Sequence, residues 1–335
     1  MKRYIIIAVV LFFASLSLGA QNELSLTQYE AELKPLMDLM YDSPTDNERF
    51  NSNEKLIAIL EQALQTEGSF SYDFTQLNRL SILRSEDNKF RIFTWAVMAQ
   101  NGQSENFGFI QFKSQDEEGF TTLKLEDKSD DIFNPEYNRL SANNWFGCVY
   151  YKIITNRFEG KNYYTLLGYD ANDIYTSRKV IEPLSFSSAK KGVEFGAPMF
   201  YKDKDRRRYI FEYNSQAPFV LKWDDQYYES KESKEKNSVI SKLFSKKEYV
   251  YYKGQAAEKV EKEWMIVYEV LAPIYDGIST MKQFYVPSEQ VNGFKFEKGK
   301  WRFIENILPR NKLQKNQSEP QRKLKGEAKR LYSPN

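Results

Sequence analysis

The sequence predicts a mainly β protein, an antiparallel meander of many short strands with a short helical cap at its N-terminal end. Three observations carry this. After about residue 70 the chain alternates aromatic and β-branched residues with polar ones, polar turn clusters separate these runs at short intervals, and almost no helical periodicity intervenes. Parallel strands need crossovers of about a dozen residues or more, so connections this short imply sequential hairpins.

The cap comes first. Thr27-Gln28-Tyr29-Glu30 has the form of a capping box, and Tyr29, Leu33, Leu36, Met37 and Met40 fall on one helical face. Pro35 is expected to kink or restart that helix. The turn-rich Asp42-Ser43-Pro44-Thr45-Asp46-Asn47 leads to a second helix starting at Asn51 or Ser52. Its stripe is Leu56, Ile57, Leu60 and Leu64, and Gly68 stops it.

The strands follow in order. Ile82–Arg84 and Lys89–Trp95 read as a hairpin around Glu86-Asp87-Asn88, and Phe107–Phe112 and Phe120–Leu125 as a second. Val149–Ile154 pairs with Tyr163–Gly168. Thr176–Ile181, Glu194–Phe200, Arg208–Tyr213, Phe219–Trp223, Glu248–Tyr252, Trp264–Leu271 and Met281–Val286 extend the series. Gly293–Phe296 and Lys300–Phe303 close it across Glu297-Lys298-Gly299. Each strand is expected to have one buried and one wetter face. So many strands must close, stack or divide into small sheets, and the pattern leaves sandwich, barrel and propeller-like arrangements open. The charged segment Glu229–Ser245 interrupts the series as an excursion.

Residues 1–20 read as an export signal: Lys2 and Arg3, an apolar run from Tyr4 to Leu18, then Gly19-Ala20 before Gln21. The run is shorter than the ~20 residues of a membrane span. The expectation is therefore a periplasmic or secreted protein with no integral span after cleavage. An uncleaved anchor is the alternative. Of the chain's net charge of +2, the leader carries +2 and the tail, 310–335, carries +6, which leaves −6 for residues 21–309. The organisation expected is a signal at 1–20, a helical cap at 21–69, an antiparallel β domain at 70–309 and a basic solvated tail at 310–335.

Composition excludes chemistry sharply. With no histidine there is no Ser-His-Asp triad, no Cys-His dyad and no imidazole metal ligand. With one cysteine, Cys148, there is no disulfide within the chain and no iron–sulfur cluster. Cys148 itself reads as a small buried hydrophobe. No catalytic residue, cofactor or metal is assigned.

The stretch Asn162-Tyr163-Tyr164-Thr165-Leu166-Leu167-Gly168-Tyr169-Asp170 running to Lys179-Val180-Ile181-Glu182 carries a resemblance. With the strand Lys89–Trp95, the segment Trp264–Tyr268 followed by Leu271-Ala272-Pro273, and the closing Gly299-Lys300-Trp301, it resembles an uncharacterised family of exported proteins from Bacteroidetes-type bacteria. The resemblance covers most of residues 50–305. It implies an exported address and attaches no activity.

The candidate binding residues are Tyr163, Tyr169, Asp170, Asn172, Asp173 and Glu212. Asp170-Ala171-Asn172-Asp173 offers oxygens that could meet a hard cation, but Ile174 and Tyr175 break the spacing of an EF-type loop. An Asx turn between strands is the simpler account. Carboxylates such as Asp170, Asp173, Glu182 and Glu212 leave glycoside cleavage open, which needs a carboxyl pair about 5–9.5 Å apart. Ser187-Ser188-Ala189-Lys190 matches Ser-x-x-Lys only in a polar loop, and Lys202–Arg208 reads as a charged hairpin tip rather than a nucleic-acid site. Adjacent aromatic pairs, Tyr150-Tyr151 and Tyr163-Tyr164 among them, place one ring of each pair on the outer face. Such rings suit contacts to a protein or a glycan. The competing account is core packing across strands. The function expected is non-enzymatic binding of an envelope protein or glycan, with a glycan hydrolase or a structural envelope component as alternatives and no nucleic-acid partner.

Overall fold

A computed structural model describes residues 24–113, 119–187, 192–229, 250–252, 255–257 and 260–307. The leader 1–20, the tail 310–335, the Ser188-Ala189-Lys190 segment and all but the first residue of the charged excursion lie outside the described residues.

The protein is mainly β. Among the described residues, helices α1 (Leu26–Asp42) and α2 (Asp46–Gln65) precede fifteen strands. These are β1 (Ser81–Arg84), β2 (Phe90–Met98), β3 (Ser104–Lys113), β4 (Phe120–Glu126), β5 (Val149–Phe158), β6 (Lys161–Asp170), β7 (Thr176–Ser187), β8 (Gly192–Phe195), β9 (Tyr209–Asn214), β10 (Leu221–Glu229), β11 (Val250–Tyr252), β12 (Gln255–Ala257), β13 (Val260–Pro273), β14 (Tyr285–Glu297) and β15 (Lys300–Ile304). They divide into small antiparallel sheets. The first is β1-β2-β3-β4, the second is β5-β6-β7-β8 with β9 also on β7, the third is β10-β13-β14-β15, and β11-β12 is a two-stranded ribbon.

The expectation of one wet face per strand fails at the centre. In β2, Phe90 and Ile92 join a core shared with Tyr164, Leu166, Val180 and Phe195 of the second sheet. The alternate residues Phe93, Trp95 and Val97 pack on Leu33, Met37, Leu56 and Leu60 of the helices. The opposite face of the second sheet, with Leu167 and Ile181, meets Ile266, Phe294 and Trp301 of the third. The order of layers is therefore helices, first sheet, second sheet, third sheet. A middle strand is apolar on both sides because each side has a neighbour to cover it.

The helices begin earlier than the sequence pattern implies. Ser25, not Thr27, caps α1: its Oγ accepts from the Gln28 amide at 3.3 Å while Gln28 Oε1 accepts from the Ser25 amide at 2.8 Å. Thr45 caps α2, its Oγ1 accepting from the Glu48 amide at 3.3 Å. The helix runs through Pro35 without a restart, since buried Leu33, Met37 and Met40 hold both halves against the first sheet. Glu30 is buried and accepts from Tyr72 Oη at 2.5 Å and the Gln76 amide at 2.7 Å, tying α1 to the chain that enters β1.

Two hairpin turns have the signature of the twist-matched type. Glu159-Gly160 and Lys298-Gly299 both have positive φ, 47° and 75° in the first, 49° and 75° in the second. Elsewhere β8 ends at Phe195 instead of running to Phe200, because Gly196 turns to φ 89°. Met281–Val286 is not one strand: Lys282–Phe284 forms a 3-10 turn and β14 starts at Tyr285. Lys202–Arg208 is not a hairpin tip, since β8 and β9 both pair with β7 and not with each other.

Candidate functional site

Asp170, Arg178 and Glu212 stand side by side on β6, β7 and β9, directly paired in register. Arg178 Nη1 lies 3.4 Å from Asp170 Oδ2 and its Nε lies 3.6 Å from Glu212 Oε2. One cation thus joins two carboxylates across three strands. Thr176 Oγ1 donates to Glu212 Oε1 at 2.9 Å, and Asn172 Nδ2 donates to Thr176 Oγ1 at 2.6 Å. Asp170 Oδ1 accepts from the Asn172 amide at 3.0 Å and from Asn106 Nδ2 at 3.1 Å. Asp170 is almost fully buried, and that burial pushes its carboxyl above the ordinary range against the pull of Asn106, Asn172 and Arg178.

The six residues singled out from the sequence do not form one site. Asp170, Asn172 and Glu212 come together as above. Asp173 sits in the same β6–β7 connection, but its Oδ1 accepts from the Tyr175 and Thr176 amides at 2.7 and 2.8 Å, which is an Asx turn. Tyr163 and Tyr169 are odd-numbered on β6 and so face the other side of the sheet from Asp170. Tyr169 Oη shares a hydrogen bond with Ser177 Oγ at 3.2 Å, while Tyr163 packs on Phe296 with ring centroids 5.5 Å apart.

Glu212 also lines a cleft of about 370 Å³. Its walls include Glu136, Tyr137, Phe211, Lys282 and Tyr285, drawn from the loop after β4, from β9, and from the turn entering β14. Lys282 Nζ sits 4.1 Å from the centroid of the Tyr285 ring, whose hydroxyl donates to the Ser279 carbonyl at 2.9 Å. Opposite in sequence but joined to the same wall, Arg206 pairs with Glu136, donates to Tyr137 Oη at 2.9 Å and lies 5.1 Å from the Tyr137 ring centroid. Burial works against the Arg206 charge, but its hydrogen bond to Asp203 and the attraction of Glu136 outweigh it and raise its pKa. The cleft therefore presents aromatic rings held by cations, with two carboxylates already paired to guanidinium groups. Glu136 and Tyr137 come from one segment and Lys282 and Tyr285 from another, far along the chain, and no local pattern links the two in the sequence.

A second polar centre is sealed between the first two sheets. Glu182 and Arg208 pair at 2.8 Å with no exposure of either side chain. Trp145 Nε1 donates to Tyr150 Oη at 2.9 Å, and Tyr150 Oη donates to Glu182 Oε2 at 3.4 Å. Cys148 is fully buried here, as the sequence implies, and desolvation raises its thiol pKa well above the usual value. Of the adjacent tyrosines that alternation leaves open to a surface role, Tyr150 and Tyr164 are core residues and Tyr151 is 38% exposed, as is Tyr169.

Among the described residues, no three His, Cys, Asp or Glu side chains converge in a way that could hold a metal ion, and no helix is long and apolar enough to cross a membrane. No family model matches the chain, and no curated protein or solved structure gives a match.

Proposed function

We propose that the protein is an exported, non-enzymatic binding protein of the cell envelope that takes a glycan in the cleft between Tyr137 and Tyr285. The observation that carries this is the cleft's make-up: rings on its walls, with hydrogen-bonding groups from Glu136, Glu212 and Lys282 among them. Its size of about 370 Å³ falls within the usual range of roughly 300–1,000 Å³ for small-ligand sites. Flat aromatic faces cover the apolar faces of a sugar ring at low entropic cost, and charged groups beside them accept or donate to its hydroxyls. The exported address rests on the leader.

The geometry favours binding over hydrolysis. A glycosidase acid needs a carboxyl of raised pKa beside its bond. Glu136 and Glu212 are each engaged by an arginine. The strongly buried carboxyls with raised pKa, Asp170 and Glu182, are sealed in the sheet interface and do not line the cleft.

A glycan array probed with residues 21–335 tests the reading. Binding that is lost in the Tyr137→Ala/Tyr285→Ala variant, with unfolding unchanged, supports it. No retained glycan, or retention indifferent to both substitutions, refutes it.

A further inference from the structure

A second hollow, of about 560 Å³, lies on another part of the third sheet's edge, between Pro198, Phe200 and Tyr201 on one side and Lys204 and Lys300 on the other. Its frame is firm. The Tyr201 amide donates to the Trp301 carbonyl at 2.9 Å, the Trp301 amide donates back to Met199, and Lys300 Nζ donates to the Pro198 carbonyl. Phe200 is a buried floor and Tyr201 is a 53% exposed wall. Arg302 lies 5.2 Å from the Tyr201 ring centroid and steadies it.

Charge is out of balance here. Residues 198–206 and 297–302 contain six basic side chains, Lys202, Lys204, Arg206, Lys298, Lys300 and Arg302, against Asp203, Asp205 and Glu297. Two of those three acids are taken: Asp203 by Arg206 at 2.6 Å and Glu297 by Arg302 at 3.0 Å. Asp205 alone remains to face four lysines. Neither Lys204 nor Lys300 has an ion-pair partner among the described residues. Two ammonium groups at the mouth of an aromatic hollow, neither neutralised by a carboxylate, attract an anionic ligand to it.

We propose that this hollow binds an acidic sugar unit, a uronic acid whose ring rests on Tyr201 and whose carboxylate lies between Lys204 and Lys300. The preference for an anion rests on the two lysines, and the choice of a sugar ring rests on the glycan reading of the cleft. The glycan class the protein selects is then a uronate-bearing polysaccharide.

Calorimetric titration of residues 21–335 with oligogalacturonate, and with its fully methyl-esterified form, tests this. The acid form is expected to bind at least about tenfold more tightly than the ester, with that advantage falling as salt is raised. Lys204→Gln or Lys300→Gln should each weaken it by about two- to fivefold, the range of an exposed ion pair, and the double variant should erase the difference between acid and ester. Tyr201→Ala should weaken the acid form, and polyglutamate, which has charge but no ring, should not compete. Equal binding of acid and ester, silent lysine variants, effective competition by polyglutamate, or no binding of oligogalacturonate would overturn the proposal. The Tyr137→Ala/Tyr285→Ala variant separates the two readings. If it leaves the acid–ester difference intact, the hollow acts independently. If only the lysine variants are silent, the cleft reading survives and this one falls.

Discussion

Glu182 and Arg208 meet at 2.8 Å in the interface of the first two sheets, neither with any solvent exposure. Arg208 Nη1 also donates to the Asn138 carbonyl at 2.9 Å, and to that of Pro135, so the pair fastens the loop after β4 onto the second sheet. That loop carries Glu136 and Tyr137 into the cleft. A buried pair is costly to break, since removing one partner strands the other charge, at about 3–5 kcal/mol. Arg208→Met is expected to destabilise by that amount in chemical denaturation. Glu182→Leu with Arg208→Met should recover most of it, and should loosen the cleft if the pair's role is to hold the loop.

Acid should act on this protein through carboxyls of opposite habit. Asp87 is desolvated in part, but hydrogen bonds from Tyr164, Ser85, Asn162 and the Lys89 amide together lower its pKa below 3.8. Its contribution is complete above that ordinary value and disappears as pH falls through the depressed folded value. Glu182 and Asp170 behave in reverse: burial raises both, so their contribution is greatest below their ordinary values, 4.5 and 3.8, and falls as pH rises through the folded ones. Denaturation of Asp87→Asn and the parent chain across pH should show a stability difference that is constant at neutral pH. The difference should shrink only below about 4. A difference that persisted at the acid extreme would refute the assignment.

Gly168 has no room for a side chain. A Cβ there would stand 2.4 Å from Cys148 Sγ and 3.1 Å from the Tyr150 ring. Gly168→Ala is expected to cost about 1–3 kcal/mol through overpacking. Adding Cys148→Ala, which removes the sulfur, should give part of that back, and the non-additivity of the two substitutions in a double-mutant cycle is the readout.

Buried polar contacts tie the helical layer to the first sheet, among them the bond from Gln111 Nε2 to the Leu64 carbonyl at 2.7 Å and one on an indole. Trp95 Nε1 donates to Asn53 Oδ1 at 2.7 Å. Asn53→Leu leaves the indole N–H without a partner and should destabilise by about 1–3 kcal/mol. A near-ultraviolet circular dichroism change centred on the tryptophan bands would locate the effect at that contact.

What could be read in the sequence follows the range of the interaction. Hairpins such as β1–β2, β3–β4, β5–β6 and β14–β15 are local, and alternation with the polar turns between the runs announces them. Boundaries moved where capping depended on neighbours: Ser25 competes with Thr27, and Thr45 acts several residues before the apolar stripe begins. Alternation by itself sets Tyr169 and Asp170 on opposite faces of β6, which separates these two candidate binding residues. The pairing of Asp170, Arg178 and Glu212 depends on β9 returning to β7, a choice no local pattern records. Still less visible is the cleft, because Tyr137 and Tyr285 meet only after three sheets have packed.

The most direct test of the account is calorimetric binding of the glycan retained on the array to the parent chain and to Tyr137→Ala/Tyr285→Ala. Saturable binding by the parent, lost at least tenfold in the variant with no reducing ends released on long incubation, is the predicted result. Turnover of the glycan, or affinity unchanged when both rings are gone, would contradict it.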